Sequence, residues 1–147
     1  MKTTLGVLLI LTLGTVPAWA VLGQYESSVS VDQQYLRSAD RIQAFQAYKV
    51  HELATANGTI VREYISPQGL VFGVAWQARF MPNLQQLLGS YSPEVQQAAQ
   101  SKVRRGGPLI VKKDNFVFVS GGHMRFFRGH VYVPSLIPNN VSPEVIR

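Results

Sequence analysis

Cysteine is absent from all 147 residues, which excludes a disulfide framework, a thiol nucleophile and a cysteine-based zinc site. Stability must therefore come from packing. Acidic residues are scarce: 8 Asp and Glu stand against 14 Lys and Arg, for a net charge of +6. No Gly-x-Ser-x-Gly occurs anywhere, so a serine hydrolase built on a nucleophile elbow is unsupported. Long hydrophobic runs are missing as well. The apolar stretch from Leu5 to Leu13 reaches only about half of the roughly 20 residues that cross a bilayer as a helix.

That short stretch follows Lys2 and precedes Pro17 and the small-x-small triplet Ala18-Trp19-Ala20, the pattern of a secretory signal peptide cut after Ala20. The chain therefore divides into a signal peptide, residues 1–20, and a single domain, residues 21–147, with no permanent membrane span after cleavage. Val21 stands where a bacterial lipoprotein would need cysteine. Cleavage removes only Lys2 from the charge count and leaves +5. The expected address is periplasmic or secreted, where ATP, NAD and nucleic acid are scarce, so neither a cofactor nor a nucleic-acid partner is expected. Solubility is the plainer use of the positive surplus. As an attractant, it would draw an envelope protein or an anionic envelope polymer, among phospholipid head groups, lipopolysaccharide and acidic cell-wall polymers.

Residues 21–27 read as a flexible leader. Ser30 or Asp32 can cap a short helix running to about Ala39, with Val31, Tyr35 and Leu36 on its apolar side. From Phe45 to Arg79 the pattern is that of a three-strand antiparallel meander, turning at Asn57-Gly58 and at Ser66-Pro67-Gln68-Gly69. Pro82 opens a helical stretch carrying Leu84, Leu87 and Leu88 to Gly89, and Ser92-Pro93-Glu94 restarts it through about Val103. Strands return at Leu109 to Val111, Phe116 to Ser120 and Met124 to Val133, and the Pro-rich tail from Ser135 should form an irregular surface strap. The fold class is α+β: an antiparallel meander sheet of about five or six strands with one or two helices packed on one face.

Turn chemistry also predicts register. A two-residue Asn57-Gly58 turn pairs Leu53 with Arg62 and sets Glu52 opposite Glu63. A three-residue Pro67-Gln68-Gly69 loop pairs Tyr64 with Phe72. One face then collects Leu53, Ile60, Tyr64, Phe72, Val74 and Trp76 as core, and the other carries the two glutamates, with Gly73 beside Glu63 leaving room for a ligand. Adjacent carboxylates drive their pKa values apart, so Glu52 and Glu63, assisted by His51 or Arg62, are the candidate catalytic pair of an envelope hydrolase or lyase. A structural ion pair or a slipped register is the competing explanation.

The segment from Gly121 to Gly129 mixes glycines, cations and aromatics. Its His123, Arg125, Phe127 and Arg128 are the candidate binding residues for an anion or a polysaccharide. It has no phosphate-loop spacing, and a turn followed by a strand explains it equally well. His51, His123 and His130 have no ligand-like spacing, so no metal site is expected. Lys102, Arg104, Arg105, Lys112 and Lys113 form the densest basic region, which also suits solvated helix and strand ends.

Val61-Arg62-Glu63-Tyr64, the run from Val71 to Trp76, the run from Pro82 to Gly89, Ser120-Gly121-Gly122-His123-Met124-Arg125 and Val133-Pro134-Ser135-Leu136 together resemble an exported bacterial family, domain of unknown function 2844. The resemblance implies export but carries no activity, substrate or catalytic residue. Where that family has Trp-x-Gly-Pro and Pro-Asp-Leu, this chain has Trp76-Gln77-Ala78-Arg79 and Pro82-Asn83-Leu84, which removes a proline and a negative charge from one loop. The leading functional reading is a non-enzymatic binding or accessory protein of the envelope. Such a protein would use an exposed strand edge or the basic-aromatic segment from His123 to Arg128.

Overall fold

Glycines and short polar side chains at the turns divide this chain into strands, and the computed structural model describes residues 22–102 and 106–147. The expected signal peptide, Val21 and the Arg104-Arg105 pair lie outside the described residues. Helix α1 (Val29–Leu36) leads into strands β1 (Ala39–Ala44), β2 (Lys49–Ala54), β3 (Ile60–Ile65) and β4 (Val71–Ala78). Helices α2 (Leu84–Leu88) and α3 (Ser92–Gln100) follow, then β5 (Leu109–Lys112), β6 (Val117–His123) and β7 (Phe126–Tyr132). All strand pairs are antiparallel, in one open seven-stranded sheet of order β1-β2-β3-β4-β7-β6-β5. Two meanders therefore meet where β7 lies against β4.

The α+β class is as the sequence predicts, with seven strands in place of five or six. The added strand is β1, which runs along one edge. Its only large apolar residue, Ile42, is 57 % exposed, so the strand shows no alternating pattern for a sequence reading to detect. Helix α1 also differs from expectation. It begins at Val29 and stops at Leu36, where Arg37 takes a left-handed conformation (φ 49°). Val29 and Asp32 are buried and Leu36 packs on the core, while Val31 and Tyr35 face solvent. The expected flexible leader is docked from Leu22 onward: Leu22 is buried, Gly23 N–H donates to the Val71 carbonyl at 2.8 Å, and Tyr25 bridges Leu70.

Two local devices set the register. At the first turn, the Thr55 hydroxyl and the Asn57 carboxamide oxygen both accept from Thr59 N–H, at 3.0 and 3.1 Å, closing a three-residue loop with Gly58 left-handed (φ 83°). Leu53 therefore faces Val61 and Glu52 faces Arg62, one residue away from the two-residue turn expected. The Pro67-Gln68-Gly69 loop forms as predicted, with Gly69 left-handed (φ 78°) and Ser66 N–H bonded to the Leu70 carbonyl. Beyond it the register shifts, so that Ile65 faces Val71 while Tyr64 faces Gly73. Phe72 is the extra residue of a β-bulge.

These shifts redistribute the two faces. The helix-covered face buries Leu53, Val61, Ile65, Val74, Phe118 and Val131 against Leu87, Leu88 and Val95. Trp76 packs on Phe118 there, with ring centroids 5.7 Å apart. Tyr64 and Phe72, expected in that core, instead join Val50 and Ala75 on the opposite face, where the tail seats Ile146 at 2 % exposure. The tail is thus the predicted strap, but an anchored one. Gly73 makes the fit possible, because a Cβ there would stand 2.8 Å from Ile146 Cδ1. The room expected for a ligand is filled by the protein's own isoleucine.

Candidate functional site

The register separates the candidate carboxylates. Glu52 points to the strap face and accepts from Arg62 Nε at 2.8 Å, whereas Glu63 lies directly opposite His51 and turns inward under α1. The carboxylate pair required for the hydrolase or lyase reading does not form. Arg62 is instead a structural partner of Glu52 and of the strap, donating from Nη1 to the Arg147 carbonyl at 3.1 Å.

Glu63 belongs to a different group. It is 1 % exposed, as is Asp32 of α1, and Gln86 of α2 donates to Asp32 Oδ1 at 2.5 Å. Neither Glu63 oxygen has a donor in reach, so its contact with Asp32 becomes a hydrogen bond only when one of the two carboxyls carries a proton. Burial, first of all, raises both pKa values: Asp32 to about 6, and Glu63 well above its ordinary value, with the charges of Asp32 and Asp40 adding to the shift. Nearby, His51 is gripped from both sides, Nδ1 2.9 Å from Asp40 and Nε2 3.1 Å from Glu26. Lys49 donates to both Glu26 oxygens at 2.6 and 2.7 Å, and these bonds, with the one from His51, hold the Glu26 carboxyl below the usual range. This network closes the edge β1-β2-β3 over α1. Among the described residues, no group of three His, Asp or Glu side chains is arranged to hold a metal ion.

The large open concavity lies on the strap face, past the end of the strap. It is a groove of about 830 Å³ whose cationic walls are Arg62, Arg128 and Arg147, with His123 and His130 between them. Its basis is sheet register: Arg62, Ala75 and His130 stand side by side across β3, β4 and β7, and Gln77, Arg128 and Gly121 form the next row. Gly121 lets the Gly107-Pro108 loop sit close as one bank, while the absent side chain of Gly129 makes room for the Trp76 ring on the helix face. Among the described residues, no carboxylate or hydroxyl side chain lines the groove. Half-burial of His130 pushes its pKa down, so near neutral pH the ring contributes hydrogen bonding and the arginines the charge.

The four predicted binding residues are thereby split. His123 and Arg128 line the groove, with His123 stacked on Phe126 at 5.8 Å. Arg125 is the left-handed residue (φ 68°) of the β6–β7 turn and is exposed, while Phe127 pairs with Ala78 and points to the helix face.

The family model for a protein of unknown function, DUF2844, matches residues 18–146. The chain belongs to this family. No characterised protein and no solved structure matches it. Two groove residues of this DUF2844 protein were invisible to motif reading, Arg62 and His130, because they lie 68 positions apart in sequence and meet only through β4. Correct register from β3 to β7 was the one signal that could have found them. Among the described residues, no helix is long and apolar enough to cross a membrane.

Proposed function

We propose that this DUF2844 protein is an exported, non-enzymatic binding or accessory protein of the bacterial envelope, and that the strap-face groove holds a segment of an anionic envelope polymer. The observation that carries this reading is a groove whose described lining holds three arginines and no acidic side chain; Glu52 engages Arg62 from outside the groove, and Arg128 and Arg147 have no ion pair among the described residues. Guanidinium groups take carboxylate and phosphate oxygens in a planar two-point fashion, and a groove open along its length suits a chain better than a compact small molecule. Gly121 and Gly122 in the lining admit close approach of a polymer backbone, and Phe126 offers a face for a sugar ring.

The test is titration of the purified protein with a soluble polyanion, polyphosphate or an acidic polysaccharide, followed by tryptophan fluorescence or calorimetry. Arg128→Gln combined with His130→Gln should weaken binding at least tenfold while leaving the melting curve in place. Equal affinity in the variant would remove the groove from the function.

A further inference from the structure

A second surface lies outside the groove. The pairing of β4 with β7 ends at Ala78 opposite Phe127, which carries the chain past Arg79, Phe80 and Met81 at the same end of the sheet as the β6–β7 turn, Met124-Arg125. Three large apolar side chains there face solvent outside the groove: Phe80 at 71 %, Met81 at 46 % and Met124 at 88 %. Soluble surfaces scatter such residues singly, and a cluster of them marks a contact surface. Arg79 and Arg125, both exposed, flank the cluster.

The charge around this end has one sign. No Asp or Glu occurs between Glu63 and Glu94, or between Asp114 and Glu144, so the two segments that build the tip contain no acid at all. Projecting apolar side chains ringed by arginines, with no carboxylate to repel phosphate, form the arrangement that seats a protein at a lipid headgroup boundary: the apolar groups enter the acyl edge and the cations remain at phosphate level. We infer that the Phe80–Met81 and Met124–Arg125 tip docks the protein, reversibly, on an anionic phospholipid surface. This rests on side chains outside the polymer groove and stands apart from that reading.

The experiment is flotation of the purified protein with phosphatidylcholine vesicles, with and without about one third phosphatidylglycerol. The wild type should float with the anionic vesicles only, and increasing salt should release it. Phe80→Ser with Met124→Ser should bind at least tenfold more weakly. Arg79→Gln with Arg125→Gln should lose a further factor of about five per arginine and most of the salt sensitivity. Met124→Trp should shift its emission to the blue on adding anionic vesicles, a readout that needs no disruptive change. His130→Gln, in the groove, should float as the wild type does. The proposal is overturned if the wild type floats with neither vesicle, if the Phe80/Met124 variant floats equally well, if the tryptophan stays water-exposed, or if His130→Gln abolishes flotation. All variants share the same amino terminus, so equal flotation would assign the binding to that segment. A wild type that floats as expected but binds no polyanion would sink the groove reading alone.

Discussion

At Glu63 a carboxyl group is sealed beneath α1, facing Asp32 of that helix, Asp40 of β1, His51 of β2 and, around Asp32, Gln86 of α2. Both Glu63 and Asp32 have folded-state pKa values raised above those of the unfolded chain, first by burial. Groups shifted in this direction stabilise the fold fully below their unfolded values of 3.8 and 4.5, and that stabilisation is lost as pH rises through the folded ones, through about 6 for Asp32 and further up for Glu63. Glu26 works the other way, since its lowered pKa favours the fold above the ordinary range and is lost in acid. Melting temperature should therefore peak in acidic buffer and fall as pH rises through about 6 and beyond. Glu63→Gln places an N–H beside Asp32 without needing a proton. It should flatten that fall and raise stability at pH 8 by on the order of 2 kcal/mol, read from thermal melts across pH. A melting curve whose pH dependence is unchanged in Glu63→Gln would show that the buried pair does not titrate in this range.

Strands, turns and helices were largely legible from the sequence, because hairpin glycines, the Pro67-Gln68-Gly69 loop and the leucines of α2 each act locally. What was not legible came from single side chains that shift whole strands. Thr55 and Asn57 widen one turn by a residue, and the Phe72 bulge offsets the next pairing, so every assignment of a β3 side chain to a face reversed. That reversal dissolved the Glu52–Glu63 pair and brought Arg62 into line with His130. Of the four candidate binding residues, His123 and Arg128 share one strand face by alternation, whereas Arg125 and Phe127 fall on the turn and the opposite face. The strap offers a direct check on the new faces. Gly73→Ala should cost about 1 kcal/mol by pressing on Ile146, and Ile146→Val, which deletes the Cδ1 atom 2.8 Å away, should cost about 1 kcal/mol alone. Together they should cost clearly less than the sum, as measured by urea unfolding of the four-member cycle. Strict additivity would mean that the strap does not press on Gly73.

For the whole molecule, charge is distributed by region more than by element. The acids collect around α1, β1, β2 and β3, while the half of the sheet bearing the groove and the tip carries cations across two long acid-free stretches. Such polarity orients a molecule approaching a negatively charged surface before any contact is made. Polyanion affinity should fall steeply between low and physiological salt, and the Arg128→Gln change should reduce the slope of log affinity against log salt by about one. An affinity insensitive to salt would place the binding energy elsewhere.

The meeting of β4 with β7 has a temporal consequence. While the ribosome is still adding residues up to Tyr132, the first meander ends in a strand paired with β3 on one edge only, and Tyr64 and Phe72 stay uncovered until Ile146 is joined. Non-local closure of this kind is slow, and a nascent fragment cannot complete it. Compaction must wait until β7 and Ile146 have been made, which leaves the growing chain threadable until then.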